Sequence, residues 1–281
     1  MKVKSSRRVI LISGCSSGIG RALAVNLSGQ GHTVYAGVRA IESLDAIKSD
    51  CLIPVKLDIN QSKDVSAVLD FMEGRETRID ILINNAGYGA MGPLIEMPAQ
   101  ELRAQFETNV FSPLAVTQAC LPLLQKSDMA QVVNIGSSAG IMPVPFSGAY
   151  CASKAAFHTL TEVLRMELHP FGIHCMSVFP GGVSSDFGDN ANNKLGDTLK
   201  GNSLYKKVVK AIEARAKVSS SSSTTPEMFA DELVAALEKR TPVCNKRIGQ
   251  GSRLMPLMKL LLPTRLREHL LRKMYHLNTL S

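Results

Sequence analysis

Short apolar runs alternate with longer amphipathic stretches over the first 180 residues, and this alternation constrains the fold more strongly than any other feature. The short runs have the length of buried strands, whereas the longer stretches place apolar residues at helical spacing. Strands that alternate with helices build a parallel sheet covered on both faces. The runs that predict strands are 9–12, 33–38, 52–57, 79–83, 131–135 and 173–179, and the stretches that predict helices are 19–29, 41–49, 62–73, 99–126 and 149–169.

The predicted fold is α/β, a doubly wound parallel sheet of Rossmann type with helices on both faces and a helical C-terminal extension. In such sheets the crossovers are right-handed and ligands bind at the carboxyl ends of the strands. We expect residues 1–281 to form a single domain, because α/β domains often reach this length. A polar, serine-rich stretch at 184–225 predicts a substrate flap. After it, Thr225 and Pro226 predict the start of a helix to about Lys239, and 243–248 predicts a last strand.

The segment SGCSSGIG at 13–20 directly follows the first predicted strand and opens the first predicted helix. Glycines there permit a tight turn and let backbone N–H groups approach a pyrophosphate at the helix N-terminus. Their spacing, G-x-x-x-G-x-G, differs from the common G-x-G-x-x-G fingerprint, and a glycine triple can also be a structural turn. The strand–turn–helix context favours a dinucleotide site formed by Gly14, Ser16, Ser17, Gly18, Ile19 and Gly20.

The end of the second predicted strand, VYAGVRA, bears on which dinucleotide would bind. Many dinucleotide folds place an acid about 20 residues after the glycines, where it binds the ribose diol. Here Val38 stands in that position and Arg39 follows it. A guanidinium suits a 2′-phosphate, through charge-assisted hydrogen bonds. Arg39 therefore favours NADP(H) over NAD(H), with a solvated loop charge as the alternative interpretation.

Tyr150 and Lys154 lie four residues apart in the segment AYCASK. On a helix this spacing brings the two side chains within reach of each other. A free tyrosine has a pKa of about 10, too high for efficient proton transfer near neutral pH, and a nearby cation lowers it. Tyrosine and lysine also occur at this spacing by chance on helix surfaces, so the other motifs decide the interpretation.

Several motifs occur in one order along the chain, and together they carry a family resemblance. They are SGxxSGIG at 13–20, LD at 57–58, NNAG at 84–87, Asn109, Ser137, the Tyr150–Lys154 pair and PGG at 180–182. The chain resembles the short-chain dehydrogenase/reductase family from about residue 8 to residue 250.

The resemblance implies a role for each matching residue. Tyr150 would be the catalytic acid/base, and Lys154 would lower its pKa and hold the nicotinamide ribose. Ser137, thirteen residues before Tyr150 and preferred for that spacing over Ser138, would hydrogen-bond the substrate oxygen. Asn109 would hold a water for a proton relay. The remaining cofactor contacts would be Asp58 at the adenine, Asn85, Ala86 and Gly87 beneath the cofactor, and Pro180, Gly181 and Val183 near the nicotinamide.

The resemblance is strongest to a branch with 17-beta-hydroxysteroid and retinol dehydrogenases and 1-acyldihydroxyacetone-phosphate reductases. It implies an NADP(H)-dependent oxidoreductase that interconverts a carbonyl and an alcohol on an apolar substrate of steroid, retinoid or acyl-lipid type. The alternative is a nucleotide-binding redox regulator without turnover, which would be expected to lack Tyr150 or Lys154. Apolar residues expected near the cleft, which could equally be core, are Met91, Leu94, Ile141, Met142, Val144, Phe146 and Phe187.

Cysteine usage and hydropathy narrow the class of protein. The six cysteines occur singly, without a CxxC pair or a zinc-like spacing, so we expect reduced thiols in a cytoplasmic protein and no metal. The apolar run after the basic N-terminus is too short for a signal peptide. No apolar run approaches the roughly 20 residues that would span a bilayer.

The net charge of +8 is concentrated near the C-terminus, where Glu268 is the one acid after Arg240. Aromatic residues do not interleave with these cations, so we expect no nucleic-acid partner. Residues 253–278 predict a basic amphipathic extension. It could cover the cleft, pack on another subunit of a homo-oligomer, or lie peripherally on an anionic membrane, and the first two roles are favoured. Its predicted apolar face is Leu266, Leu270, Met274 and Leu277.

Overall fold

A parallel sheet forms the centre of the computed structural model, which describes residues 7–184, 203–216 and 222–280. The strand order is β3-β2-β1-β4-β5-β6-β7, and each neighbouring pair is parallel. This confirms the predicted fold class. The strands are β1 Val9–Ser13, β2 Thr33–Val38, β3 Leu52–Lys56, β4 Ile81–Asn84, β5 Gln131–Ile135, β6 His174–Pro180 and β7 Asn245–Ile248, within two residues of the predicted bounds.

The helices lie on both faces of the sheet, because alternate residues of each buried strand point to opposite faces. In β1, Ile10 and Ile12 pack into one apolar cluster, and Val9 and Leu11 pack into the other. The helices are α1 Gly18–Gly29, α2 Ser62–Glu73, α3 Ala99–Phe106, α4 Ser112–Leu124, α5 Gly148–Leu168, α6 Val209–Ala216, α7 Pro226–Leu237, α8 Leu254–Leu261 and α9 Thr264–Met274.

Different helices cover the two apolar clusters. Helices α1 and α7 cover the face that contains Ile10 and Ile12, and helices α2 and α4 cover the other face. The start of α7 is as predicted, since the Thr225 hydroxyl accepts a hydrogen bond from the Met228 N–H at 3.3 Å. The strand order reverses between β1 and β4, so a crevice opens at the carboxyl ends of these strands.

Two predicted helices are wrong in part. The stretch 41–49 forms only a short 3-10 helix, Ile41–Leu44. The stretch 99–126 is divided by a π-helical turn, Glu107–Phe111, that separates α3 from α4. Pro113 explains the division, because a proline has no N–H to donate to the Asn109 carbonyl four residues earlier.

The C-terminal extension also departs from the prediction of one amphipathic face. Pro263 separates α8 from α9, because it has no N–H to continue the first helix. Helix α9 ends at Met274, and Leu277 lies in a separate 3-10 turn, Leu277–Thr279. Leu277 therefore does not share the face of Leu266 and Leu270. It packs instead near Phe146 and Ile212.

The predicted flap at 184–225 is described only in part. Residues 185–202 and 217–221, and with them Phe187, lie outside the described residues. Between these gaps the chain forms a 3-10 turn, Lys206–Val208, and then α6.

Candidate active site

The segment 13–20 forms a tight loop between β1 and α1. Gly14 has φ +75° and Gly18 has φ +56°, in the left-handed region that favours glycine. A Cβ atom on Gly14 would lie 2.8 Å from the Ala86 Cα. A Cβ atom on Gly20 would overlap the Gly14 carbonyl and the Asn85 side-chain amide. The loop is therefore packed so closely that only glycine fits at these positions.

The N-terminus of α1 opens at the carboxyl edge of the sheet. Its N-cap, Ser17, makes no side-chain cap, and the first turn contains no acid. Ser16 and Ser17 are exposed, and Ile19 is half-buried. The first-turn N–H groups, which have no partner within the helix, thus face a surface without negative charge. This arrangement fits the pyrophosphate of a dinucleotide.

The segment after β4 is tied to the glycine loop. The Asn85 side-chain amide donates to the Ser13 and Gly14 carbonyls at 3.0 and 2.9 Å, and the Asn85 and Ala86 N–H groups donate to the Ser13 hydroxyl at 3.1 Å. At Gly87, a Cβ atom would lie 3.0 Å from Asn109 Oδ1. The predicted cofactor segment 85–87 therefore runs from the glycine loop to the predicted catalytic residues.

Arg39 and Asp58 follow the paired ends of β2 and β3, where Val38 lies beside Lys56. Arg39 is exposed at this edge. Asp58 accepts the N–H of Asn60 at 3.0 Å. Both residues thus lie at the carboxyl edge of the sheet, where ligands bind in folds of this type.

Three residues at intervals of four lie on the buried face of α5, namely Tyr150, Lys154 and His158. The Tyr150 hydroxyl forms a hydrogen bond with the Ser137 side chain. The Lys154 ammonium donates to the Ile135 carbonyl at 2.9 Å. The Ser138 hydroxyl donates instead to the Pro180 carbonyl at 2.7 Å, so Ser138 faces away from the phenol.

The pKa of Tyr150 differs from the expectation. Burial raises it to about 12, and the hydrogen bond with Ser137 and the charge of Arg215 oppose the rise. Burial also lowers the pKa of Lys154 to about 8. The expected lowering of the Tyr150 pKa by Lys154 is therefore wrong for the protein alone. The ammonium bonds to a carbonyl, and the low polarity around both groups disfavours their charged forms.

The side chain of Asn109 is fully buried in the π-helical turn. Its amide donates to the Tyr88 carbonyl at 2.9 Å and to the Ser153 hydroxyl at 3.1 Å, and its oxygen accepts the Tyr88 N–H at 3.1 Å. Both donors are thus used by the protein. The predicted water would have to bind the backbone carbonyl of Asn109. In an α-helix this carbonyl would accept the N–H of residue 113, which is absent in Pro113.

The segment 180–183 is held against the end of β7. The Gly181 N–H donates to the Ile248 carbonyl and the Gly182 N–H donates to the Gln250 carbonyl, both at 2.8 Å. Val183 is buried beside β6 and β7. Pro180, Gly181 and Val183 thus lie at the same edge as Ser137.

Sequence reasoning missed His158. Its Nε2 lies 3.2 Å from the Ser137 backbone nitrogen and 2.9 Å from the Ser137 backbone carbonyl oxygen. Its Nδ1 lies 2.9 Å from the Ser177 hydroxyl. The ring stacks on Phe179 with centroids 4.1 Å apart. His158 therefore fixes the backbone of Ser137. Its position four residues after Lys154, on the same helical face, was the available signal.

We expect His158 to make stability depend on pH. Burial lowers its pKa from 6.5 to about 4, with a smaller contribution from Lys154. Below pH 6.5 the His158 side chain of the unfolded chain binds a proton, whereas in the folded chain it binds one only near pH 4. As the pH is lowered from 6.5 to 4, the free energy of unfolding should fall by on the order of 3 kcal/mol in total.

Urea unfolding at pH 7, 6, 5 and 4.5 measures this dependence. In the His158→Gln variant the slope between pH 6.5 and 4.5 should become shallower, although the variant is less stable at every pH. The exposed His269→Gln variant serves as control and should keep the slope. An unchanged slope in His158→Gln would show that other groups cause the pH dependence.

The C-terminal extension covers the site. Met255, Leu271 and Tyr275 pack against a buried cluster around Tyr150. Of the apolar residues expected near the cleft, four are buried, Ile141 is half-buried, and Leu94 is 55% exposed. The buried ones are Met91, Met142, Val144 and Phe146. Within the described ranges there is no cluster of potential metal ligands and no helix long and apolar enough to span a membrane.

Known proteins share this architecture and sequence. A family model described as short chain dehydrogenase matches residues 8–196. The chain is 36% identical over 186 residues to a 3-ketodihydrosphingosine reductase of Bacteroides thetaiotaomicron, covering 66% of this chain and 67% of that protein. It is 31% identical over 269 residues to 17-beta-hydroxysteroid dehydrogenase type 1 of Homo sapiens, covering 91% and 81%.

Solved structures agree with these matches. A short-chain dehydrogenase from Streptomyces avermitilis has a TM-score of 0.79 at 29% identity, covering 94% of this chain and 96% of that one. Relatives from Burkholderia cenocepacia, in complex with NADP, and Burkholderia phymatum, in complex with NAD, have TM-scores of 0.72 and 0.73. They are 26% and 25% identical, and cover 94% and 85% of this chain and 96% and 88% of their own. From fold, motif order and sequence match, the chain belongs to the short-chain dehydrogenase family of oxidoreductases.

Proposed function

We propose that this protein is an NADP(H)-dependent oxidoreductase that interconverts a carbonyl and an alcohol on an apolar substrate. The observation that carries the proposal is the Tyr150 phenol, which is buried, hydrogen-bonded to Ser137 and one helical turn from Lys154. This group lies at the same sheet edge as the glycine loop. The proposed proton donor and the proposed dinucleotide loop therefore lie at one edge of the sheet.

The bound nicotinamide cofactor would supply or accept the hydride. The protein would supply position and the proton. Ser137 and Tyr150 bind the carbonyl oxygen, and Tyr150 gives its proton to the oxygen as negative charge develops there. Lys154, whose pKa burial lowers to about 8, lies one helical turn after Tyr150 and would hold the ribose of the bound cofactor. The same groups accept the proton when an alcohol is oxidised.

The apolar lining of the cleft supports an apolar substrate. Met91, Val144 and Tyr275 surround the Tyr150 cluster, and Phe146 and Tyr205 continue the surface toward α6. The names of two relatives, a 3-ketodihydrosphingosine reductase and a hydroxysteroid dehydrogenase, are consistent with a lipid or steroid substrate for this chain.

Oxidation of NADPH and NADH in the presence of a carbonyl panel tests the proposal. The panel contains a ketosteroid, retinal, a long-chain aldehyde and an acyl-dihydroxyacetone phosphate. Reduction of at least one with NADPH is the expected result. Tight NADPH binding with no turnover of any carbonyl or alcohol would instead favour the alternative, a redox regulator. The presence of Ser137, Tyr150 and Lys154 in one cluster argues against that alternative.

Arg39 is the residue we propose to select the phosphorylated cofactor. In the Arg39→Gln variant, KM for NADPH should rise roughly 10- to 100-fold, the value of one charged hydrogen-bonding contact, while KM for NADH changes little. The control is Lys48→Gln, which removes an exposed cation paired with Asp45 at 3.1 Å. Equal cofactor kinetics in wild type and Arg39→Gln would remove Arg39 from the cofactor site.

We also propose that the protein forms a homo-oligomer and contacts anionic membranes through its C-terminal extension. Helices α8 and α9 expose apolar side chains beside several cations, as interfacial helices do. Leu260 is 80% exposed, and Leu261 and Met274 are each 67% exposed. Light scattering measures the oligomeric state. Sedimentation together with phosphatidylglycerol vesicles measures the membrane contact, and this sedimentation should be lost at high salt.

A further inference from the structure

A half-buried arginine on α6 has one buried nitrogen without a partner. The Nε atom of Arg215, on α6, is inaccessible to solvent and has no hydrogen-bond partner. Within the described part of the chain, Arg215 takes part in no ion pair. A buried polar atom without a partner costs free energy. A ligand that supplied an anion would remove this cost.

The geometry of α6 turns Arg215 toward the cleft. Val208 and Ile212 are buried against Phe146, and Arg215 follows Ile212 by three residues on the same helical face. The ring centroids of Tyr275 and Phe146 lie 5.9 Å apart, and Tyr275 also packs against the cluster around Tyr150. The face that presents Arg215 is therefore continuous with the wall of the site.

The positive charge of Arg215 acts on three groups in and around the candidate site. Burial raises the pKa of Tyr150, Cys151 and Tyr275, and in each case the positive charge of Arg215 opposes the rise. Lys210, on the exposed side of the same helix, does not act on these groups in this way. Among the described residues, the apolar wall of the cleft thus carries the charge of Arg215 in addition to Lys154 beside Tyr150.

We infer that Arg215 binds an anionic group, a carboxylate or a phosphate, that the substrate carries away from its reacting carbonyl. The inference rests on the proposed function and narrows its substrate class from apolar carbonyl compounds to amphiphilic anions. The apolar part of the substrate would contact Phe146, Val144 and Tyr275. The carbonyl would lie at Ser137 and Tyr150.

Matched substrate pairs test the inference. One pair is a long-chain ω-oxo fatty acid and its methyl ester, which tests a carboxylate. The other is an acyl-dihydroxyacetone phosphate and its dephosphorylated form, which tests a phosphate. Wild type should show a kcat/KM roughly 10- to 100-fold higher for the anionic member of at least one pair. Arg215→Met should remove this preference, Arg215→Lys should restore part of it, and Lys210→Met should keep it.

The ratio within a pair is the decisive quantity, because any effect of Arg215 on the Tyr150 pKa acts on both members alike. Arg215→Met should also raise Tm, since it removes a buried nitrogen, Nε, that has no partner. Equal kcat/KM within both pairs in wild type would overturn the inference and leave the proposed oxidoreductase intact. A fall in Tm with equal losses on all substrates would also overturn it, by showing a structural role.

Calorimetry decides the inference even if no carbonyl is reduced, an outcome that would count against the proposed function alone. The NADPH-saturated protein is titrated with dodecanoate, dodecyl phosphate and dodecanol. Binding of either anion at least tenfold tighter than dodecanol, and lost in Arg215→Met, supports the inference. Equal binding of all three ligands overturns it.

Discussion

Replacing Tyr150 with phenylalanine should lower kcat for carbonyl reduction by about 10³-fold, within the range found for loss of a general acid. The phenol hydrogen-bonds the Ser137 side chain, and phenylalanine cannot give a proton. Because the ring is retained in its buried cluster, the variant should fold and bind NADPH with nearly unchanged Kd. Stopped-flow fluorescence of NADPH separates the reaction step from binding.

A second tyrosine provides the control. Tyr35 is also buried, but on the opposite side of the sheet from α1, where its hydroxyl donates to Glu76 at 3.1 Å. Tyr35→Phe loses one hydrogen bond and should leave kcat within about twofold of wild type, costing only about 1 kcal/mol of stability. Turnover in Tyr150→Phe comparable with that of Tyr35→Phe would show that another group transfers the proton.

Replacing Gly20 with alanine should weaken NADPH binding by at least about tenfold. The added Cβ would overlap the Gly14 carbonyl and the Asn85 amide, so the backbone of the glycine loop must move. Displacing packed groups in this way costs roughly 1–3 kcal/mol, and Tm should fall with it. Fluorescence titration with NADPH and a thermal melt measure both effects.

Gly29 is the matched control on the same helix. A Cβ there would have no neighbour within 4 Å. Gly29→Ala should therefore stabilise α1 by about 0.5–1 kcal/mol and leave NADPH binding unchanged. A Gly20→Ala protein with wild-type Kd would show that the loop does not hold the pyrophosphate.

Much of the fold was predictable because its signals are local. The strands of an all-parallel sheet are buried on both faces, so they are continuous apolar runs such as VILIS, which are visible in the sequence. The spacing of Tyr150 and Lys154 is a property of one helix, so their common face was predictable as well. The tight turn at Gly14 and Gly18 was predictable because a left-handed backbone favours glycine locally.

The errors concern places where one residue overrides a periodic pattern. Pro113 and Pro263 interrupt stretches whose apolar spacing is helical throughout, and neither interruption was included in the predictions. The helix predicted at 41–49 shortens to four residues, although its composition permits a helix. Periodicity reports which face is apolar, but not whether every backbone donor needed to continue the helix is present.

The sequence by itself determined the parallel sheet, the glycine loop at its edge and the helix that carries Tyr150 and Lys154, because each depends on residues near one another in the chain. Only the tertiary structure decided the electrostatics of the site. The raised pKa of Tyr150, the contact of His158 with Ser137 and the unpartnered Nε atom of Arg215 all depend on burial by segments distant in sequence. Burial sets the cost of charge, and it exists only once the chain has folded.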